Sequence, residues 1–266
     1  MFTLQWGEGP LLLFAHATGL CASAYLGLLA PLGRMFRVVA YDARGHGRSE
    51  LAADPGQIPT DWKIFRDDLA HLVAALGGGP VRLAGHSFGA SVAAEAAADH
   101  PGLASALCLI DPPSLPSPAE PGGQAPINLM AQQAERRRSH FESLAAARAA
   151  YHGRGAFQGW PEQALDGYLQ GALLPDAGKG GVRLACAPAF EAACYHGVTS
   201  TFAANIGHLR QPLTLLLADR NSTIDDAGAQ AFLERCPQAK VQRFPGTGHF
   251  LALTHPDLLR PWLEAL

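Results

Sequence analysis

The chain has 266 residues, of which 48% are hydrophobic and 16% are charged, and its formal net charge at pH 7 is -3. This composition is typical of a globular protein with a substantial core, and it excludes a disordered chain. The weakly acidic balance offers no basic surface to a nucleic acid or an anionic membrane. We therefore expect neither partner and look for a small-molecule substrate.

Cysteine and histidine usage excludes two further kinds of site. The five cysteines are odd in number and form no CxxC pair, which predicts reduced thiols in a cytoplasmic protein rather than a disulfide framework. The eleven histidines are scattered along the chain without metal-ligand spacing. We therefore predict neither a metal nor a cofactor.

Short apolar runs bounded by glycine, proline or aspartate predict the strands of a buried parallel sheet. The run at 11–15 follows no basic segment and is far too short to cross a bilayer, so it predicts a core strand and not an export signal. The predicted strands are, in chain order, an edge strand at 1–6 and buried strands at 11–15, 37–41, 81–84, 106–110, 213–218 and 241–244. Helical text lies between or after them at 60–76, 91–100, 226–236 and 256–266. This alternation predicts an α/β fold with a doubly wound, mostly parallel sheet.

The alternation of strand and helix stops between 111 and 209. This segment opens with a connection rich in proline and glycine, "DPPSLPSPAEPGGQAP", and continues with alanine-rich helical text that contains no convincing strand. Because the strand pattern resumes afterwards, we predict a helical cap at 112–209, inserted after the sixth strand of a core formed by 1–111 and 210–266. We expect this cap to cover the carboxyl ends of the strands, with some of its aromatic side chains lining an apolar pocket.

The pentapeptide "GHSFG" matches the pattern G-x-S-x-G and lies between a predicted strand and a predicted helix. A sharp turn at this place brings the neighbouring backbone close, which only residues without a Cβ, such as Gly85 and Gly89, accept. Ser87 would then stand at the N-terminus of a helix, where backbone N–H groups favour a developing negative charge. The context of strand, turn and helix predicts that Ser87 is a nucleophile.

A serine hydroxyl needs a base to take its proton, and His249 is the candidate. It lies in "FPGTGHFLAL", a glycine-bracketed loop directly after the last predicted strand, at the same carboxyl edge of the sheet as Ser87. The other histidines of the motif loops receive a structural interpretation. We expect His86 to be held beside Ser87 and directed elsewhere, and His16 and His46 to shape their loops.

Four segments in this order, "LLLFAHATG", "YDARGHGRS", "GHSFG" and "GTGHF", resemble the α/β-hydrolase superfamily over essentially the whole chain. The resemblance implies a doubly wound sheet with a cap and a serine nucleophile. It also implies an oxyanion hole formed by the backbone N–H groups of Phe88, after the nucleophile, and Thr18, in the early loop. This chain departs from the usual early motif, because His16 is followed by Ala17 where such hydrolases have glycine.

The third member of the implied triad is the acid behind His249. Relatives usually place it in a G-x-x-D pattern after the strand at 213–218, and here that position is Asn221. An amide cannot stabilise an imidazolium as a carboxylate does, and this exchange in a serine triad costs about 10⁴ in rate. We expect the acid to be Asp111, because some hydrolases of this fold carry it after the preceding strand. Asp219 and Asp225 are the alternatives.

The resemblance implies a serine hydrolase that cleaves a small to medium, largely apolar carboxylic ester, lactone or thioester through an acyl-enzyme. A carbon-carbon bond hydrolase or a cofactor-free perhydrolase on the same fold would use the same serine and histidine. Asn221 and Ala17 also leave open a non-catalytic protein of this fold that binds a small molecule. The sequence is also compatible with a homodimer.

Overall fold

A computed structural model describes residues 1–57, 62–113, 125–197 and 205–266, with backbone only at 57 and 125–127. At its centre is a seven-stranded sheet with strand order β1-β3-β2-β4-β5-β9-β10. In chain order these strands are β1 (Phe2–Trp6), β2 (Leu11–Ala15), β3 (Arg37–Asp42), β4 (Val81–His86), β5 (Ala104–Ile110), β9 (Leu213–Arg220) and β10 (Ala239–Gly248). Only the edge strand β1 is antiparallel to its neighbour. The predicted doubly wound, mostly parallel α/β sheet is confirmed.

Alternate residues of the central strands pack on opposite faces of the sheet. In β2, Leu12 and Phe14 belong to the core on one face, and Leu13 and Ala15 belong to the core on the other. Each large apolar side chain buried in this way contributes about 1.5–3 kcal/mol. Because both faces are covered, these strands read as continuous apolar runs in the sequence.

The predicted helices of the core are present, with ends shifted by at most three residues. They are Pro256–Glu264 on the first face and Lys63–Ala75, Phe88–Asp99 and Asp226–Arg235 on the second. The short helices Leu26–Leu29 and Leu251–Thr254, also on the first face, were not predicted. The helix after the "GHSFG" turn begins at Phe88, three residues before the prediction. The first turn of this helix contains glycine and therefore has weak helix propensity, so the sequence did not indicate a helix there. The helix nevertheless begins directly after the sharp turn at Ser87, which follows β4.

The segment between β5 and β9 contains helices and also a small antiparallel sheet. The helices are Ala125–Glu135, Leu144–Tyr151, Glu162–Ala172 and Pro188–His196, and the strands are β6 (His140–Phe141), β7 (Leu173–Pro175) and β8 (Val182–Leu184), in the order β6-β8-β7. The expectation of no strand here was wrong, because strands of two or three residues are too short to produce an alternating pattern. Five strands, and not six, precede the segment. The boundaries of the predicted cap at 112–209 stay a prediction.

The helix Glu162–Ala172 docks directly on a short 3₁₀ helix of the core, Ala22–Tyr25. Two of its glycines face this contact: a Cβ on Gly167 would overlap the backbone carbonyl of Ser23, and one on Gly171 would overlap the hydroxyl of the same serine. Ser23 Oγ donates a hydrogen bond of 2.6 Å to the Gly167 carbonyl. Close backbone approach therefore fixes this cap helix against the core.

Three histidines are fully buried near the carboxyl edge of the sheet, and all three are neutral. Burial lowers the pKa of His16 from 6.5 to about 4 and the pKa values of His46 and His86 to about 3. His16 Nδ1–H donates to the Ala17 carbonyl at 2.8 Å, and His46 Nδ1–H donates to the Arg44 carbonyl at 2.9 Å. The expectation that these two side chains shape their loops agrees with these bonds.

We predict that Gly167→Ala destabilises the protein, although alanine is the better helix former. The new methyl group would press on a backbone carbonyl that cannot rotate away, and overpacking of this kind costs roughly 1–3 kcal/mol. Urea denaturation measures the change in the free energy of unfolding. Gly207→Ala is the matched control, because its Cβ would have its nearest contact 4.0 Å away, at Arg235 O. Equal stabilities of the two variants would contradict the tight contact.

We also predict that the protein loses stability as the pH falls below about 6.5. In the unfolded chain His16, His46 and His86 take up protons near pH 6.5, whereas in the folded protein they remain neutral down to about pH 4 or 3. Three protons bound by the unfolded state alone lower the free energy of unfolding by up to about 4 kcal/mol per pH unit. Urea denaturation between pH 7.5 and 4.5 measures this slope.

Two variants test the source of the slope. His46→Gln removes one of the three buried groups and should reduce the slope by about 1.4 kcal/mol per pH unit. His71→Gln replaces an exposed histidine and should leave it unchanged. If His46→Gln leaves the pH dependence of the free energy of unfolding unchanged, His46 does not contribute to that dependence.

Candidate active site

The backbone at Ser87 forms a tight, strained turn between β4 and the following helix. Ser87 has φ +53° and ψ −121°, a conformation that residues with a side chain rarely adopt. A Cβ on Gly85 would lie 2.5 Å from the backbone of Gly89, and a Cβ on Gly89 would overlap the carbonyl of Ala15. Ser87 N–H donates to the Ile110 carbonyl at 2.8 Å, which ties the turn to the end of β5. Both glycines of "GHSFG" are therefore required by close backbone contacts.

The structure brings Ser87, His249 and Asp111 together at the carboxyl edge of the sheet. His249 Nε2 lies 3.1 Å from Ser87 Oγ, and His249 Nδ1 lies 2.6 Å from Asp111 Oδ2. The Asp111 side chain is fully buried, and the His249 side chain keeps 18% of its surface exposed. A hydroxyl, an imidazole and a carboxylate in this series form a geometry that can remove a proton from the hydroxyl.

Asp111 is held as a carboxylate by several donors besides His249. Burial raises its pKa, but hydrogen bonds from His249, Ser222 and the backbone of Ala218 together bring the pKa below its usual value. The Ala218 N–H donates at 3.2 Å and the Thr223 N–H at 3.3 Å. Ser222 and Thr223 were not predicted from the sequence. The only signal for them was their position just after β9, the strand that pairs with β5 in the sheet.

The two carboxylates that the sequence offered as alternative acids for His249 make different contacts. Asp219 is exposed, and its Oδ2 accepts a hydrogen bond of 2.9 Å from the Gly246 N–H. Asp225 caps the helix Asp226–Arg235 by accepting a bond of 2.7 Å from the Gly228 N–H. Of the three candidates, Asp111 is the one that the structure places against His249.

The early loop and the start of the helix at Phe88 lie beside the serine turn. Phe88 is the first residue of its helix, and the first N–H groups of a helix have no acceptor within it. In the early loop the Ala17 N–H donates to the Tyr25 hydroxyl at 3.1 Å, so this group is already occupied. Thr18 is the next residue of the same turn, which closes with a bond of 3.1 Å from the Leu20 N–H to the Ala17 carbonyl. This arrangement is compatible with the expected oxyanion donors Phe88 and Thr18.

A partly buried ion pair of the cap lies against the early loop. Arg137 Nη1 pairs with Glu191 and its Nη2 donates to the Tyr168 hydroxyl at 2.8 Å. A Cβ on Gly19 would lie 2.5 Å from Glu191 Oε1 and 3.1 Å from Arg137 Nη1. The Arg137 side chain is only 23% exposed. The pair therefore places both a cation and a carboxylate next to the early loop.

No group of three or more histidine, cysteine, aspartate or glutamate side chains is arranged to hold a metal ion within 1–57, 62–113, 125–197 and 205–266. In the same ranges no helix has the length and apolar character that a bilayer crossing requires. The five cysteines are free and buried.

Comparison with known proteins identifies the family. Residues 12–261 match the alpha/beta hydrolase family. A 2-(acetamidomethylene)succinate hydrolase from Mesorhizobium japonicum is 28% identical over 254 residues, which cover 95% of this chain and 86% of that protein. The crystal structure of an E-2-(acetamidomethylene)succinate hydrolase superposes with a TM-score of 0.83 at 23% identity, over 99% of this chain and 93% of the other. A thioesterase domain from the curacin biosynthetic pathway does so with a TM-score of 0.81 at 22% identity, over 99% and 94%. The chain belongs to the alpha/beta hydrolase family, as its motifs predicted.

Proposed function

We propose that this protein is a serine hydrolase that cleaves a small to medium, largely apolar carboxylic ester, lactone or thioester through an acyl-enzyme on Ser87. The observation that carries this proposal is the hydrogen-bonded series of Ser87, His249 and Asp111 at a strained turn. Strain of about 1–3 kcal/mol at a single residue persists only where the surrounding structure imposes it, and it is concentrated at functional sites.

The proposed reaction begins with proton transfer from Ser87 Oγ to His249 Nε2 as the oxygen attacks the acyl carbon. The Phe88 and Thr18 N–H groups stabilise the resulting oxyanion, a contribution of a few kcal/mol per donor in related chemistry. The protonated His249 then gives its proton to the leaving alcohol or thiol, and the acyl group remains on Ser87. Water, deprotonated by His249, attacks the acyl-enzyme and releases the carboxylic acid.

Asp111 has the role of keeping His249 in the required tautomer. Its carboxylate accepts the Nδ1–H, so the Nε2 lone pair is directed at Ser87. The same negative charge stabilises the imidazolium that forms when the serine proton is taken. This contact supports the enzyme over the non-catalytic alternative. Because Asp111 supplies the acid, the asparagine at position 221 is not evidence that the triad lacks one.

We predict that a fluorophosphonate probe labels Ser87 and that Asp111→Asn slows this labelling by about 10³–10⁴-fold, since the asparagine amide would favour the wrong tautomer of His249. Asp219→Asn is the matched control and should label within a few-fold of the wild-type rate. Mass spectrometry locates the adduct, and Ser87→Ala should carry none. A wild-type protein that fails to react, or equal rates for the two aspartate variants, would overturn the proposal.

A second candidate function is hydrolysis of the amide bond of a small dicarboxylate. The observation that favours it is Arg137, a partly buried cation next to the early loop, since an arginine fork binds a carboxylate well. The relative from Mesorhizobium japonicum is named for a succinate derivative that carries an acetamido group. The pairing of Arg137 with Glu191 opposes this function, because the carboxylate already occupies part of the guanidinium.

A substrate pair separates the two candidates. If the second is correct, 2-(acetamidomethylene)succinate is cleaved with a higher kcat/KM than a neutral ester such as p-nitrophenyl butyrate. The double variant Arg137→Gln, Glu191→Gln, which leaves neither charge buried alone, should then raise KM for the dicarboxylate by roughly 10–100-fold. The ester should change only a few-fold. Cleavage of the ester alone would reject the dicarboxylate and leave the first candidate.

A further inference from the structure

A directional chain of hydrogen bonds runs behind the candidate site, from the early loop to the backbone of His249. The Ala17 N–H donates to Tyr25 Oη at 3.1 Å. Tyr25 Oη lies 2.7 Å from His86 Nδ1, and His86 Nε2 lies 2.8 Å from the His249 carbonyl oxygen. Tyr25 and His86 are completely buried. None of these bonds involves the serine hydroxyl or the Asp111 carboxylate.

The direction of each bond in this chain follows from the groups at its two ends. A carbonyl oxygen only accepts, so His86 Nε2 must carry its hydrogen and donate to His249. His86 Nδ1 is then a lone pair, which accepts from the Tyr25 hydroxyl. The same hydroxyl oxygen accepts from the Ala17 N–H. Burial lowers the pKa of His86 to about 3, which keeps the ring neutral, and the carbonyl acceptor at Nε2 then selects the tautomer.

Each end of the chain is next to a group with a role in the proposed reaction. The His249 carbonyl belongs to the residue whose ring faces Ser87, and Ala17 directly precedes Thr18, an expected oxyanion donor. The two rings between these ends are completely buried and pack against neighbouring rings. Tyr25 lies 4.8 Å from the ring of Phe14, and His86 lies 4.9 Å from the ring of His249.

We propose that Tyr25 and His86 are positioning residues that hold the base loop and the oxyanion loop at a fixed separation. The inference rests on the proposed serine mechanism. Without the Tyr25 hydroxyl, the buried Nδ1 lone pair of His86 has no donor and the Ala17 N–H loses its acceptor. Both loops are then free to shift, and displacements near 1 Å are enough to slow a positioned reaction by about 10²-fold.

The test is a double-mutant cycle with Tyr25→Phe and His86→Leu, in which the measured quantity is the rate of Ser87 labelling by a fluorophosphonate. We expect each single variant to slow labelling by roughly 10–100-fold and the double variant to be no slower than the slower single, because both break one chain. Independent effects that multiply in the double variant would overturn the proposal. With an ester substrate, kcat should fall while KM stays within about twofold, since no group that lines the substrate has changed.

Two further variants distinguish positioning from loss of fold. Tyr41→Phe removes a hydroxyl from another buried tyrosine and should label at the wild-type rate. His86→Gln restores a donor to the His249 carbonyl, and it should recover activity relative to His86→Leu at similar unfolding temperature. The comparison of His86→Gln with His86→Leu tests the positioning role even if Tyr25→Phe does not fold. A wild-type protein that fails to label rejects the serine mechanism itself, whereas a reactive wild type with an equally reactive Tyr25→Phe and His86→Leu rejects only the positioning role.

Discussion

The contact between Asp111 and His249 is the interaction on which the geometry of the candidate site depends. Asp111 follows β5 and His249 follows β10, and β9 lies between these two strands in the sheet. A buried carboxylate is stable only when donors satisfy it. The loop after β9 supplies them through Ser222 and Thr223, so the ends of three adjacent strands converge on one side chain. The position of the base is therefore determined by the order of the strands and not by the histidine loop alone.

Backbone strain in the described part of the chain is concentrated at the same edge of the sheet. Ser87, Asp111 and Asn221 are the residues other than glycine that have positive φ there, at 53°, 43° and 52°. Each follows a central strand at its carboxyl end. Backbone bonds hold two of them in place, from Ser87 N–H to the Ile110 carbonyl and from Asp111 N–H to the Leu216 carbonyl, both at 2.8 Å. The rigid sheet thus imposes conformations that an isolated peptide would avoid.

The short helix Ala22–Tyr25 connects the cap to this strained edge. Its Ser23 hydroxyl bonds to the cap helix at Gly167, its first N–H donates to Asp42 at 2.8 Å, and its Tyr25 hydroxyl contacts His86. These three bonds place the contact with the cap and the contact with the candidate site on one short segment. The tight approach at Gly167 and the geometry of the candidate site are for this reason parts of one packed unit.

The sequence by itself determined the strands of the main sheet, the longer helices that cover it, and the positions of Ser87 and His249. These features depend on local patterns, namely apolar runs, glycine spacing and the order of motifs along the chain. It favoured Asp111 as the acid but left Asp219 and Asp225 open, because all three lie near the ends of neighbouring strands in the sheet. Tertiary structure decided between them, and it alone revealed Tyr25 and the short strands of the cap. The physical reason is that hydrogen bonds between segments far apart in the chain leave no periodic trace in the sequence.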